Sequence, residues 1–193
     1  MSVISAAYNS PQQQAEASEI APVVLSFLKH VSDRLAKDQS RYRLAFTSRL
    51  TGSMAEGTKA FLPNEIDVIC EFVYDVFNDS TKRIEETVKG VYVTNATELF
   101  NPEPLNPRLV AGVFYRAVSD VIKNLIDENL EFQPLVLHKS ALLLRDRISC
   151  LHLMWTGSVY KNLMIYVDLV PAFKLPPSFK PRKVLPLTTG NQP

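Results

Sequence analysis

Glu65, Asp67 and Asp168 are the side chains of this chain whose type and spacing could do chemistry. Glu65 and Asp67 stand two residues apart in Glu65-Ile66-Asp67-Val68, a run that alternates as a strand does. In a strand that spacing puts both carboxylates on one face, roughly 6–7 Å apart along the chain. Two carboxylates so placed repel each other unless a cation lies between them. Mg²⁺ suits the place, because it is hard, oxygen-liking and usually shared with substrate phosphates. Just upstream, Thr51-Gly52-Ser53-Met54-Ala55-Glu56-Gly57-Thr58 predicts a Gly-Ser turn whose N–H groups and hydroxyl could hold a polyphosphate. Asp168 stands in the apolar run Leu163-Met164-Ile165-Tyr166-Val167-Asp168-Leu169-Val170. A lone charge in a buried strand is costly unless it is paired or bound to metal. Arg145 or Arg147 could pair with it. As a third carboxylate it would instead complete a two-metal site for phosphoryl transfer.

These groups must be positioned by strands and helices, and periodicity predicts several. Residues 1–14 read as a flexible lead-in. Residues 15–43 read as a long helix, with Ile20, Val24, Phe27, Leu28, Val31 and Leu35 on one apolar stripe and Pro22 in the first turn. Its other face carries Lys29, Arg34, Lys37, Arg41 and Arg43 against Asp33 and Asp38, either as a solvated surface or as a nucleic-acid contact. Residues 44–58 read as turn and loop. Residues 65–77 read as a strand with Ile66, Val68, Cys70, Phe72 and Tyr74 on one face, and Glu65, Asp67, Ile69, Glu71, Val73 and Asp75 on the other. Residues 78–106 are mixed, with an apolar run at Val91–Val93. Residues 108–128 read as a second, largely buried helix, and residues 148–170 as a hairpin turning at Gly157–Asn162. The Pro-rich tail from residue 176 to 193 reads as extended and basic.

Composition bounds the class. The chain has 193 residues, 46% of them hydrophobic, which suits one domain with a real core and excludes a disordered chain. Lys+Arg total 21 against 20 Asp+Glu, which excludes a globally basic nucleic-acid coat but not a local patch. Cys70 and Cys150 are too few for a disulfide framework or a four-cysteine zinc site, and both read as buried and inert in a reducing compartment. No apolar run approaches the ~20 residues that span a bilayer, and no signal or transit peptide is legible, so the expectation is a cytoplasmic or nuclear protein with no membrane partner. His152 and Trp155 read as core residues, and the other aromatic side chains as core rather than base-stacking platforms.

Gly52-Ser53, then Pro63-Asn64-Glu65-Ile66-Asp67-Val68, then Tyr166-Val167-Asp168-Leu169 resembles the nucleotidyltransferases of the cyclic GMP-AMP synthase and cGAS-like receptor family. The resemblance spans most of residues 15–175 and is specific at these motifs. It implies an α+β fold with a polymerase-beta-like nucleotidyltransferase core, a mixed twisted sheet and a long N-terminal spine helix, with the family's C-terminal helical lobe absent. It implies that Gly52 and Ser53 bind the nucleotide, and that Glu65, Asp67 and Asp168 are catalytic and hold two Mg²⁺ or Mn²⁺ ions. Glu56 and Lys59 would fall in an activation loop. Lys29, Arg34, Lys37 and Arg41 would contact double-stranded DNA or RNA as activator. The implied function is synthesis of a cyclic dinucleotide messenger from ATP and GTP in innate immune sensing. The alternatives are an oligoadenylate-synthetase-like enzyme, against which Glu-x-Asp argues, and an inactive adaptor or developmental relative.

Overall fold

The computed structural model describes residues 10–37, 45–55, 64–72, 83–87, 90–94, 107–145 and 148–173. Over them the chain is α+β: a mixed five-stranded sheet carries both long helices on one face.

The first helix, α1 (Pro11–Lys37), begins four residues ahead of the start that periodicity predicts. The reason is a capping box. Ser10 Oγ accepts from Gln13 N–H at 3.2 Å, and Gln13 Oε1 accepts from Ser10 N–H at 3.0 Å. Pro11 then fills the first helical position, where a missing N–H costs nothing. Pro22 is therefore interior to the helix, not in its first turn. An interior proline costs about 3 kcal/mol. Ile20, Val24, Leu28 and Val31 of the same helix are fully buried, and each such side chain contributes about 1.5–3 kcal/mol, which offsets the proline.

Residues 44–58 are not all loop: β1 (Phe46–Thr51) precedes a single helical turn, α2 (Gly52–Ala55). Ser32 of α1 ties β1 to the helix, donating to Phe46 C=O at 2.7 Å and accepting from Phe46 N–H at 2.8 Å. Next comes β2 (Glu65–Phe72), buried at alternate residues Ile66, Val68, Cys70 and Phe72, as the sequence predicts. A separate two-stranded sheet follows, β3 (Arg83–Thr87) with β4 (Gly90–Thr94). The second long helix, α3 (Pro107–Asp127), ends in a Schellman cap: Asn129 takes a left-handed φ of 52°, and Leu130 N–H reaches back to Leu125 C=O at 3.1 Å. The chain then forms β5 (Leu135–Arg145), β6 (Ile148–Thr156) and β7 (Lys161–Phe173). Periodicity anticipates the β6–β7 hairpin but not β5.

Strand order is β1-β2-β7-β6-β5, and β2 runs parallel to β7 while the other neighbours are antiparallel. α1 and α3 cover one face, with Phe114 of α3 edge-on to Phe46 at 5.6 Å and Phe72 at 5.9 Å. Trp155 is core, as expected, but its indole N–H has a partner the sequence does not reveal. Glu16 of α1 is buried and accepts from Trp155 Nε1 at 2.8 Å, Ser158 Oγ at 2.8 Å, Val159 N–H at 2.7 Å and Tyr160 N–H at 2.9 Å. The β6–β7 turn is thus built around a helix carboxylate. Gly157 fits there because a Cβ would collide with Glu16 and the Trp155 nitrogen.

Residues 1–9 of the lead-in, residues 38–43 of the expected helix and Arg41 with them, Glu56, Lys59, residues 73–77 and the tail from residue 174 lie outside the described residues. Among the described residues no helix is long and apolar enough to cross a membrane.

Candidate functional site

The face of the sheet turned away from α1 and α3, open among the described residues at the carboxylate cavity, carries the carboxylates. Parallel pairing of β2 with β7 sets Asp67 directly opposite Asp168, and Glu65 opposite Tyr166. Tyr166 N–H donates to Asn64 C=O at 2.7 Å, which fixes this register at the entry to β2. Neighbouring strands lie about 4.8 Å apart, so the two aspartates are as close as two strand residues can be set. Antiparallel pairing of β7 with β6 continues the rows: Asp168 faces Cys150, and Tyr166 faces His152. Directly opposed residues share a face. One row is therefore Asp67, Asp168 and Cys150, and the next is Glu65, Tyr166 and His152.

Ser53, Glu65, Asp67, Cys150, Tyr166 and Asp168 line one open cavity of about 500 Å³. Glu65 and Ser53 are exposed, whereas Asp67 and Asp168 are half-buried. Among the described residues neither aspartate is in a salt bridge. Gly52 holds the Gly-Ser turn against them. Its φ is +63°, a conformation that favours glycine, and an added Cβ would overlap the Asp67 carboxylate. We expect Gly52→Ala to cost about 1–2 kcal/mol from the left-handed backbone alone. It should also push the Asp67 carboxylate aside; thermal melts with and without Mn²⁺ read both effects.

The sequence-predicted site residues Gly52, Ser53, Glu65, Asp67 and Asp168 are thus brought together at one end of the open face. As the side chains stand, no group of three His, Cys, Asp or Glu among the described residues is gathered closely enough to hold a metal ion. The donor chemistry nonetheless fits a hard divalent cation: carboxylate oxygens converging on a cavity that also presents a hydroxyl.

Three neighbours were not read as site residues. Cys150 is buried, but on the carboxylate face, whereas Cys70 lies on the core face, where burial pushes its thiol up to about 12. His152 is not a satisfied core residue: it is half-buried on the open face and its Nε2 lacks a hydrogen-bond partner. Tyr166 is 38% exposed rather than core. Its place two residues before Asp168 was the available signal, since period two puts both on one face. Cys150 and His152 needed the β6–β7 register, which a single sequence does not fix.

The basic residues of α1 lie elsewhere and are partly engaged. Lys29 donates to Asp33 at 2.7 Å, which holds the Asp33 carboxyl below its usual value. Arg34 donates with both terminal nitrogens to Glu128 at the end of α3. Lys37 is exposed.

No family model matches the chain, and no curated protein is significantly similar to it.

Proposed function

We propose that this chain is the catalytic core of a metal-dependent nucleotidyltransferase, similar to cyclic GMP-AMP synthase and its relatives. It would transfer a nucleotidyl group from ATP or GTP to a hydroxyl of a second nucleotide. The observation that carries the reading is the direct opposition of Asp67 and Asp168 on adjacent parallel strands. A fold gains nothing from setting two carboxylates face to face, because like charges directly opposite destabilise a sheet. Glu65 and Ser53 on the same cavity wall support the same reading.

Glu65, Asp67 and Asp168 are the residues that would hold Mg²⁺ or Mn²⁺. Two such ions, when bound, supply neutralisation of the triphosphate and a more acidic attacking hydroxyl. The chain's own part is positional. Ser53, with the N–H groups of the Gly52 turn, would hold the phosphates, and Gly52 lets the Asp67 carboxylate approach that turn. The acceptor oxygen forms its bond to the α-phosphorus as the bond to the departing pyrophosphate breaks, so no side-chain nucleophile is needed. The product proposed is a cyclic dinucleotide. Activation by double-stranded nucleic acid would fall to the basic face of α1, where Lys37 is exposed and Lys29 and Arg34 have Asp33 and Glu128 as partners.

The second reading is a non-catalytic adaptor. Incubation with ATP, GTP, Mg²⁺ or Mn²⁺ and duplex DNA or RNA, with mass spectrometry of products, separates them. A cyclic dinucleotide absent from the Asp67→Asn/Asp168→Asn variant establishes the enzyme. A linear oligonucleotide keeps the class and changes the product. No product under any condition, together with no carboxylate-dependent Mn²⁺ binding, overturns the enzyme reading.

A further inference from the structure

A singly exposed tyrosine is ordinary on a protein surface. Tyr166 is exposed in a particular way. It forms part of the wall of the carboxylate cavity, two residues before Asp168 on the same face. His152 on β6 packs against it edge to face, with ring centroids 4.9 Å apart and planes at 85°. The His152 Nε2 atom is buried without a hydrogen-bond partner. Leaving a polar nitrogen so placed costs free energy, and the ring that carries it packs on Tyr166. The row Glu65, Tyr166, His152 lies one strand repeat, about 6–7 Å, from the row of Asp67 and Asp168. That is within the reach of one nucleotide whose phosphates lie over the aspartates.

We propose that Tyr166, braced by His152, is the stacking platform for the base of the bound nucleotide. The inference rests on the nucleotidyltransferase reading above and adds how that site would hold the base. Every base offers a π-face, so a tyrosine ring grips purines without choosing among them. The platform therefore contributes affinity at this site, and selection between adenine and guanine must come from other groups.

The test uses the full chain, Mn²⁺ and two probes: inorganic tripolyphosphate and α,β-methylene-ATP, which carries a chain of three phosphorus groups plus a ribose and base and, with a methylene in place of the α,β-bridging oxygen, resists nucleotidyl transfer. Calorimetric titration reads both affinities. In Tyr166→Ala the ATP analogue should bind about tenfold more weakly, the usual size of one lost base–aromatic stack. Tripolyphosphate affinity should not move, and Tyr166→Phe should restore the analogue. An unchanged analogue affinity in Tyr166→Ala overturns the proposal. So does an equal loss for both probes, which would make Tyr166 a structural support of the strand. Failure of the wild-type chain to bind either probe, or binding indifferent to Asp67→Asn/Asp168→Asn, overturns the nucleotidyltransferase reading and the platform with it. Binding of both probes with only the tyrosine variant silent removes the platform alone.

Discussion

Asp168→Asn is expected to leave the chain at least as stable as the wild type, and to abolish its thermal response to Mn²⁺. The two effects have opposite sign because they come from one arrangement. Asp168 faces Asp67 across adjacent strands, and no salt bridge among the described residues neutralises either. Removing one of two directly opposed like charges relieves about 0.2–1 kcal/mol. For a domain of this size each kcal/mol moves the melting midpoint by roughly 2–4 °C, so the rise without metal is small. Wild-type chain at a Mn²⁺ concentration of 100 times Kd should gain about 2.7 kcal/mol, and the variant none. The proposed transfer activity should fall by at least about 10²–10³-fold, as when one preorganised electrostatic group is removed. Differential scanning fluorimetry with and without Mn²⁺ reads the stability part directly. A variant that melts several degrees lower without metal would mark Asp168 as half of a buried ion pair, since breaking such a pair strands its partner.

The part of this site that was legible in the sequence is the part set by short range. Period two along β2 placed Glu65 and Asp67 together on the face opposite Ile66 and Val68, and the burial pattern agrees. The apolar run Leu163–Val170, with Asp168 inside it, read correctly as a strand. What no local pattern could give was the pairing of Asp67 with Asp168, because that depends on which strands become neighbours and in which register. The same holds for Cys150 and His152, which reach the site only through the β6–β7 ladder. The missed strands have their own causes. β1 is short and polar at Thr47, Ser48, Arg49 and Thr51, at the edge of the sheet, where burial does not enforce alternation. β5 carries an irregularity between Leu137 and Leu142 that breaks the period, and Leu142, Leu143 and Leu144 are apolar whichever face they take. The early start of α1 was legible after all: Ser10, Pro11 and Gln13 are a capping box with proline in the favoured place.

Glu16 is the extreme case of what a single sequence hides, and its replacement should have the largest effect on stability. Nothing in its local sequence marks it, yet it accepts hydrogen bonds from donors 139 to 144 residues away. Burial pushes its pKa up, but the bonds from Val159 N–H, the Trp155 indole, Tyr160 N–H and the Ser158 hydroxyl outweigh that and hold it at about 2 rather than 4.5. Glu16→Ala removes the acceptor and leaves the donors with nowhere to turn inside a packed joint. Each buried donor left unsatisfied costs about 1–3 kcal/mol. The half-exposed turn can recover water at Ser158 and Val159, so the expected total is about 3–4 kcal/mol. That lowers the midpoint by roughly 6–16 °C for a chain of this length. Trp155 is the chain's one tryptophan, so its fluorescence reports unfolding at this joint without a label. Acid should act on the wild type through the same group. A carboxylate whose folded pKa is depressed contributes all its stability above the unfolded value and loses it as pH falls through the folded one. The wild type should therefore lose stability from about pH 4.5 down to about 2. Glu16→Gln keeps the size of the side chain but carries no titrating charge and turns an N–H₂ toward donors, so it should be less stable at pH 7 and less sensitive to acid across that window. If the two chains show the same acid dependence, the carboxylate does not carry the joint, and the hold of α1 on the β6–β7 turn is apolar.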